Sequence, residues 1–212
     1  MERPDEVSHT LDELDRWLRE HAPGDYGQLL PPADPDAIAE LAAGRVRAHD
    51  DVLAWLSRHD GSQRDPRLAA GAFIPRDFPL LGAVGMTLGL ADMAEAVEQA
   101  VEDGDEEFVV GVEAHTHWLP VARNHTGGLL VVDHRPGEGY GAVLEVDPSV
   151  GVNAVRRWDS PRQMFTSVLA ALRDGSPVTS GSGVSAVPLI EEPNEGLPHV
   201  RWEPRYRGPD TP

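Results

Sequence analysis

The sequence predicts an α+β fold, with N-terminal helices packed on a mixed, mostly antiparallel sheet and a helix after the last main strand. Three observations carry this. Within residues 118–147, two apolar segments (118–122 and 129–133) and a third of alternating character (142–146) are separated by short turn-rich runs. Ahead of them, leucines recur at helical spacing. Behind them, Ser160-Pro161 opens a stretch in which Met164, Phe165, Val168, Leu169 and Leu172 share one helical face. The remainder of the chain is expected to cover one face of the sheet.

Taken in order, residues 1–9 are a polar lead-in. Thr10 and Glu13 have capping-box spacing, and Leu11, Leu14 and Leu18 then form one stripe with Trp17 at its edge. This helix should stop by Pro23-Gly24. Asp34 is placed to cap a second helix, with Pro35 in its first turn and Ile38 and Leu41 on its buried side. Gly44 interrupts; His49, Val52, Leu53 and Leu56 restore the period until Asp60-Gly61, making three early helices. Residues 62–85 carry Pro66, Pro75 and Pro79 and read as a connection with one short strand at most.

From Leu90 the helical period returns through Met93, Val97 and Val101, then meets the acidic run Glu102, Asp103, Asp105, Glu106 and Glu107. Negative charge is unfavourable at a helix C-terminus, so this run should mark a frayed end and a solvent loop. Residues 108–112 and 155–158 are further candidate strands, and Gly175 should end the last helix. Residues 1–175 read as one main domain and 176–212 as a Pro/Gly-rich, partly ordered extension. In that extension 187–190 and 199–202 are suited to local or edge strands, with disorder expected at 176–185 and after Gly208.

The chain has 212 residues, enough for one substantial core, and 36 acidic residues against 18 Lys and Arg, a formal charge of -18. Such a field repels phosphate backbones and anionic membranes, so neither nucleic acid nor membrane is expected as a partner. The pair Arg156-Arg157 and the scattered Arg201, Arg205 and Arg207 are too sparse for a nucleic-acid footprint. Zero cysteines exclude a disulfide scaffold, cysteine catalysis and thiolate metal sites. No signal-peptide pattern and no apolar run of membrane-spanning length is visible, which places the expectation in the cytoplasm.

His115 and His117 invite a metal reading, since alternate residues on a strand face one way, with His125, His134, Asp133 or Glu145 as further ligands. No HExxH-type spacing accompanies them, and turn or surface histidines account for the pattern; no metal or other cofactor is expected. Asp133 and Glu145 could be an acid/base pair, yet each is equally natural at the end or wet face of a strand. Ser160 lacks a nucleophile-elbow setting, and the glycine-rich run 137–141 lacks the helix of a dinucleotide site. No catalytic residue is assigned.

A family resemblance adds to this reading. Leu30-Pro31-Pro32 with Ile38 and Leu41, His59-Asp60-Gly61, the 90–97 helix, and above all Trp118-Leu119-Pro120-Val121-Ala122 followed by Gly127-Gly128, residues 130–133 and Gly141 resemble the SMI1/KNR4 family of the SUKH superfamily, in a bacterial form. The resemblance spans residues 11–174. It departs at Gly127-Gly128, where relatives often carry Gly-Asp, and at 44–50, which lacks their leucine-proline entry to the third helix.

The resemblance implies that Trp118, Pro120, Gly128, Asp133 and Gly141 are architectural. It also implies non-enzymatic protein binding, since many bacterial relatives are immunity proteins that neutralise toxins and the yeast relatives regulate cell-wall synthesis. Toxin neutralisation, with a basic toxin domain as partner, is the most concrete form; a cell-wall-related regulator or scaffold is the alternative, and a metal-dependent hydrolase trails both. Candidate partner-binding residues are Glu102, Asp103, Glu106 and Glu107 in the acidic run, and His125, His134, Glu138 and Tyr140 in the loops flanking the sheet.

Overall fold

Leu11, Leu14 and Leu18 are all fully buried, and Val7 extends their stripe by a turn. Helix α1 accordingly runs Pro4–His21, starting ahead of the expected Thr10 cap. Thr10 lies inside it, its hydroxyl donating to the Glu6 carbonyl at 3.2 Å. Burying Val7 contributes about 1.5–3 kcal/mol, which favours the extra turn. The computed structural model describes residues 4–64, 70–104, 115–147, 152–179, 185–194 and 196–205. The strand expected at 108–112 and the acids Asp105, Glu106 and Glu107 lie outside these residues.

Pro23 ends α1 and begins the single turn α2 (Pro23–Tyr26). Asp34 caps α3 (Pro35–Ala43), accepting from the Asp36 amide at 2.8 Å. Gly44 breaks the helix in an extended conformation, and His49 caps α4 (Asp50–Leu56), its Nδ1 accepting from the Asp51 amide at 3.2 Å.

Helix α5 (Ala83–Asp103) starts well before Leu90, where the sequence places it. Its glycines look like breakers locally and become contacts in the fold. A Cβ at Gly89 would lie 2.9 Å from Cγ of Pro120, so glycine is what lets the helix approach the sheet. The first turn is completed from a distance, as the Asp60 carboxylate accepts from the Ala83 amide at 2.6 Å.

Strands β1 (Trp118–Arg123), β2 (Leu129–Asp133), β3 (Val143–Asp147) and β4 (Val152–Trp158) form a meander in that order. Every described strand pairing is antiparallel. Helix α6 (Pro161–Asp174) follows, with Ser160 Oγ accepting from the Gln163 amide at 3.1 Å and Gly175 in the left-handed region at φ 63°.

Helices cover both faces of the sheet, where one was expected. Leu119, Val121, Leu130, Val132 and Val143 join a core with α1, α4 and α6. Trp118, Leu129, Val131, Leu144 and Val146 join a second with Met93, Ala96 and Val97 of α5. The alternation in β3 therefore does not mark a wet face: all five of its residues are buried, Glu145 included.

Three short strands, β5 (Val178–Thr179), β6 (Ser185–Glu191) and β7 (His199–Arg205), form a second antiparallel sheet. Ala186, Val200 and Trp202 enter the main core, and Trp202 Nε1 donates to the Phe73 carbonyl at 3.0 Å. Residues 180–184 and those after 205 lie outside the described residues.

Candidate functional site

The β2 end at Asp133 gathers most of the residues that carry the sequence pattern. Trp118 pairs across the ladder with Asp133, which is only 2% exposed. A charge so buried needs a partner, and Arg135 supplies it: its Nε donates at 3.0 Å, its Nη2 at 2.6 Å and its backbone amide at 2.9 Å. The same guanidinium lies 5.3 Å from the Trp118 ring centroid, within cation–π range.

His134 is buried beside this pair, its Nδ1 donating to the Val132 carbonyl at 2.9 Å, while no described residue bonds its Nε2. Burial pushes its pKa below the usual histidine range. Tyr140 meets its ring edge-on at 5.8 Å and reaches His49 at 6.0 Å. Gly141, at φ 83°, closes the loop where a Cβ would press on His49 Nε2 at 3.1 Å.

His115 and His117 do not alternate along a strand. They occupy the turn before β1, where the His117 amide donates to His115 Nδ1 at 3.0 Å. Burial, then the nearby Arg135 and His117, hold the His115 pKa low. Among the described residues no group of three His, Cys, Asp or Glu is placed to hold a metal ion.

Asp133 and Glu145 face opposite sides of the sheet, because Glu145 pairs with Leu130 and so shares its face, whereas Asp133 shares that of Val131. They do not form an acid/base pair. Glu145 instead accepts from Arg157 Nε at 2.6 Å and also ion-pairs with Arg76, which reaches Asp147 at 3.7 Å. Burial, with Arg76 alongside, pushes Arg157 down to about 10. Arg76 and Asp77 sit at φ 68° and 57°, strained for non-glycine residues, in the loop that these ion pairs pin to the sheet.

At the opposite end of β2, Asn124 builds the β1–β2 turn. Its Oδ1 accepts from the amides of Thr126 at 3.1 Å and Gly128 at 2.8 Å and from the Thr126 hydroxyl at 2.9 Å. A Cβ on Gly128 would lie 2.9 Å from the Asn124 amide nitrogen, which explains glycine there. Pro120 touches Gly89, as above.

The expected recognition residues are scattered. His125 is exposed at the β1–β2 turn, while Glu138 and Tyr140 are exposed in the loop at the other end of β2. Glu102 and Asp103 are exposed at the end of α5, and Glu106 and Glu107 lie outside the described residues. His134 is corrected from loop-surface residue to buried residue, because its ring sits beneath Tyr140.

Sequence reasoning missed Asp25 and Arg76, whose partners are remote in the chain, and His49 and Arg135, whose nearest partners lie only two residues away. Asn124 left a local signal, as an Asx-turn residue four positions before Gly128.

Fold and site together define a class: an α+β domain with an antiparallel four-stranded meander whose buried charges are tied into internal pairs. No described helix is long and apolar enough to cross a membrane. No protein-family model matches the chain. It is similar to the cell wall biosynthesis/cell cycle regulator smi1 of Schizosaccharomyces pombe, 29% identical over 151 residues, which supports the SMI1/KNR4 resemblance. The match covers 63% of this chain and 29% of the yeast protein, so the chain spans less than a third of that relative's length.

Proposed function

We propose that this chain is a non-enzymatic protein-binding domain, a bacterial member of the SUKH superfamily working in the cytoplasm. The observation that carries the reading is the commitment of its buried carboxylates to architecture. Asp25, Asp133 and Glu145 each hold backbone amides or arginines and so serve the frame, in a chain whose formal net charge of -18 favours basic partners.

Similarity to the yeast regulator supports a role in controlling cell-wall synthesis. The acidic field supports toxin neutralisation, since an acidic inhibitor gains rapid, salt-sensitive association with a basic toxin domain. Co-expression with the product of each adjacent gene separates the two. A stoichiometric complex with a toxin domain and rescue of growth supports neutralisation. A complex with a wall-synthesis protein and altered wall composition supports regulation. Absence of any complex, or turnover by the purified chain alone, overturns the binding reading.

A further inference from the structure

Helix α5 carries a face that no described residue covers. Val84, Leu88 and Ala91, then Glu95, Glu98 and Glu102, recur at alternating spacings of four and three and so form one stripe. All six are exposed, Val84 at 65% and Leu88 at 61%. At the helical rise the stripe is about 27 Å long, apolar in its first half and acidic in its second. Beside the apolar half, a groove of about 240 Å3 opens between α5 and the end of α3, lined by Leu41, Val46, Leu90 and Ala94 with Glu40 and Arg45 exposed at its edge.

Among the described residues the acidic half meets no counter-charge. Among the described residues, Asp92 is the α5 carboxylate that meets an arginine, Arg123 at 3.4 Å, and no ion pair reaches Glu95, Glu98 or Glu102. The chain that follows, residues 105–114, adds four acids and no Lys or Arg. The helix C-terminus contributes a negative potential of its own. Covering these carboxylates without cations would be costly, so apolar exposure and charge together specify what fits.

We propose that this face of α5 is the docking surface for a basic segment of a partner protein. The segment lays an apolar side chain into the groove beside Leu88 and aligns Lys or Arg along Glu95, Glu98 and Glu102. This rests on the protein-binding reading and names its face. A second copy of the chain is a poor occupant, because each copy brings a charge of -18.

The test titrates the full chain with a synthetic amphipathic helical peptide of about five turns, leucines at one end of its face and lysines along the rest. A scrambled peptide of equal composition is the control. Saturable binding with hydrogen-exchange protection over 84–102 is expected. Leu88→Asp should weaken it about tenfold. The triple variant Glu95→Gln, Glu98→Gln, Glu102→Gln should slow association and flatten its salt dependence. Neutralising three exposed acids elsewhere, Glu20→Gln, Asp36→Asn and Asp174→Asn, should change affinity by about twofold or less. Circular dichroism confirms that each variant remains folded.

Equal binding of the scrambled peptide, protection away from α5, or equal loss in the control triple overturns the proposal. So does a concentration-dependent dimer that Leu88→Asp dissolves, which would make the occupant a second copy. A complex found by co-expression and unmoved by the α5 variants overturns this surface and leaves the protein-binding reading standing. Peptide binding at α5 with no complex in co-expression fails the functional reading alone.

Discussion

Asp25 joins three distant parts of the chain at one buried carboxylate. Its Oδ1 accepts from the Gly71 amide at 2.6 Å and its Oδ2 from the Val200 amide at 2.6 Å, so α2, the loop before α5 and β7 meet there. Burial pushes its pKa up to about 6, more than offsetting the lowering by those amides and by His199. A carboxyl with a higher pKa folded than unfolded binds a proton on folding. Its contribution is therefore fullest below about pH 4 and is lost as pH rises through about 6. Between pH 5 and 7 the loss is about 1 kcal/mol. Chemical denaturation should show wild-type stability falling by that amount relative to Asp25→Asn across this range; a constant difference contradicts the assignment. At the sheet, Glu145→Gln removes the buried carboxylate that both Arg157 and Arg76 meet and should cost about 3–5 kcal/mol, measured by the denaturation midpoint. Replacing Glu145 and Arg157 together by leucine should recover part of that loss.

At the scale of elements, α5 shows how one helix contains glycines of opposite consequence. At Gly89 an added Cβ meets the Pro120 ring at 2.9 Å, whereas at Gly85 the nearest atom is the flexible end of Leu81 at 3.4 Å. Alanine is favoured over glycine in a helix by about 1 kcal/mol. Gly85→Ala should therefore stabilise by up to that amount. Gly89→Ala must push helix and strand apart and should destabilise by about 1–2 kcal/mol despite its better propensity. Thermal melts of the two variants check this; stabilisation by both would show that α5 and β1 are not in close register. The long-range cap from Asp60 explains why the helix extends through a glycine-rich start that reads locally as a connection.

For the whole molecule, the C-terminal sheet shares the main core. Trp202, Val200 and Ala186 belong to it, and Asp25 depends on the Val200 amide. Truncation after Gly175 should therefore expose the core surface around Phe73 and leave the buried Asp25 short of a donor. A loss of several kcal/mol is expected, dominated by the large aromatic side chain. Full-length chain should unfold in one transition seen alike by tryptophan fluorescence and far-UV circular dichroism. A truncated chain as stable as the full length would establish residues 1–175 as self-sufficient.

The α+β class, the first three of the meander's four strands, the Asp34 and Ser160 caps and the Gly175 stop were determined by sequence alone, because each depends on neighbours within a turn or on a period that repeats along one element. The candidate surfaces were legible only in part: Glu102, Tyr140 and His125 are exposed as read, but His134 is buried. Tertiary structure decided that both sheet faces are covered, that Glu145 and Asp133 are internal, that α5 begins at Ala83, and that Asp25 ties α2 to the loop before α5 and to β7. For Glu145 and Asp25 the partners are arginines and amides brought from far away, whereas Asp133 takes its arginine from two residues along the chain. Local sequence encodes where a chain can bend and which face is apolar; only closure of the fold determines which charge meets which.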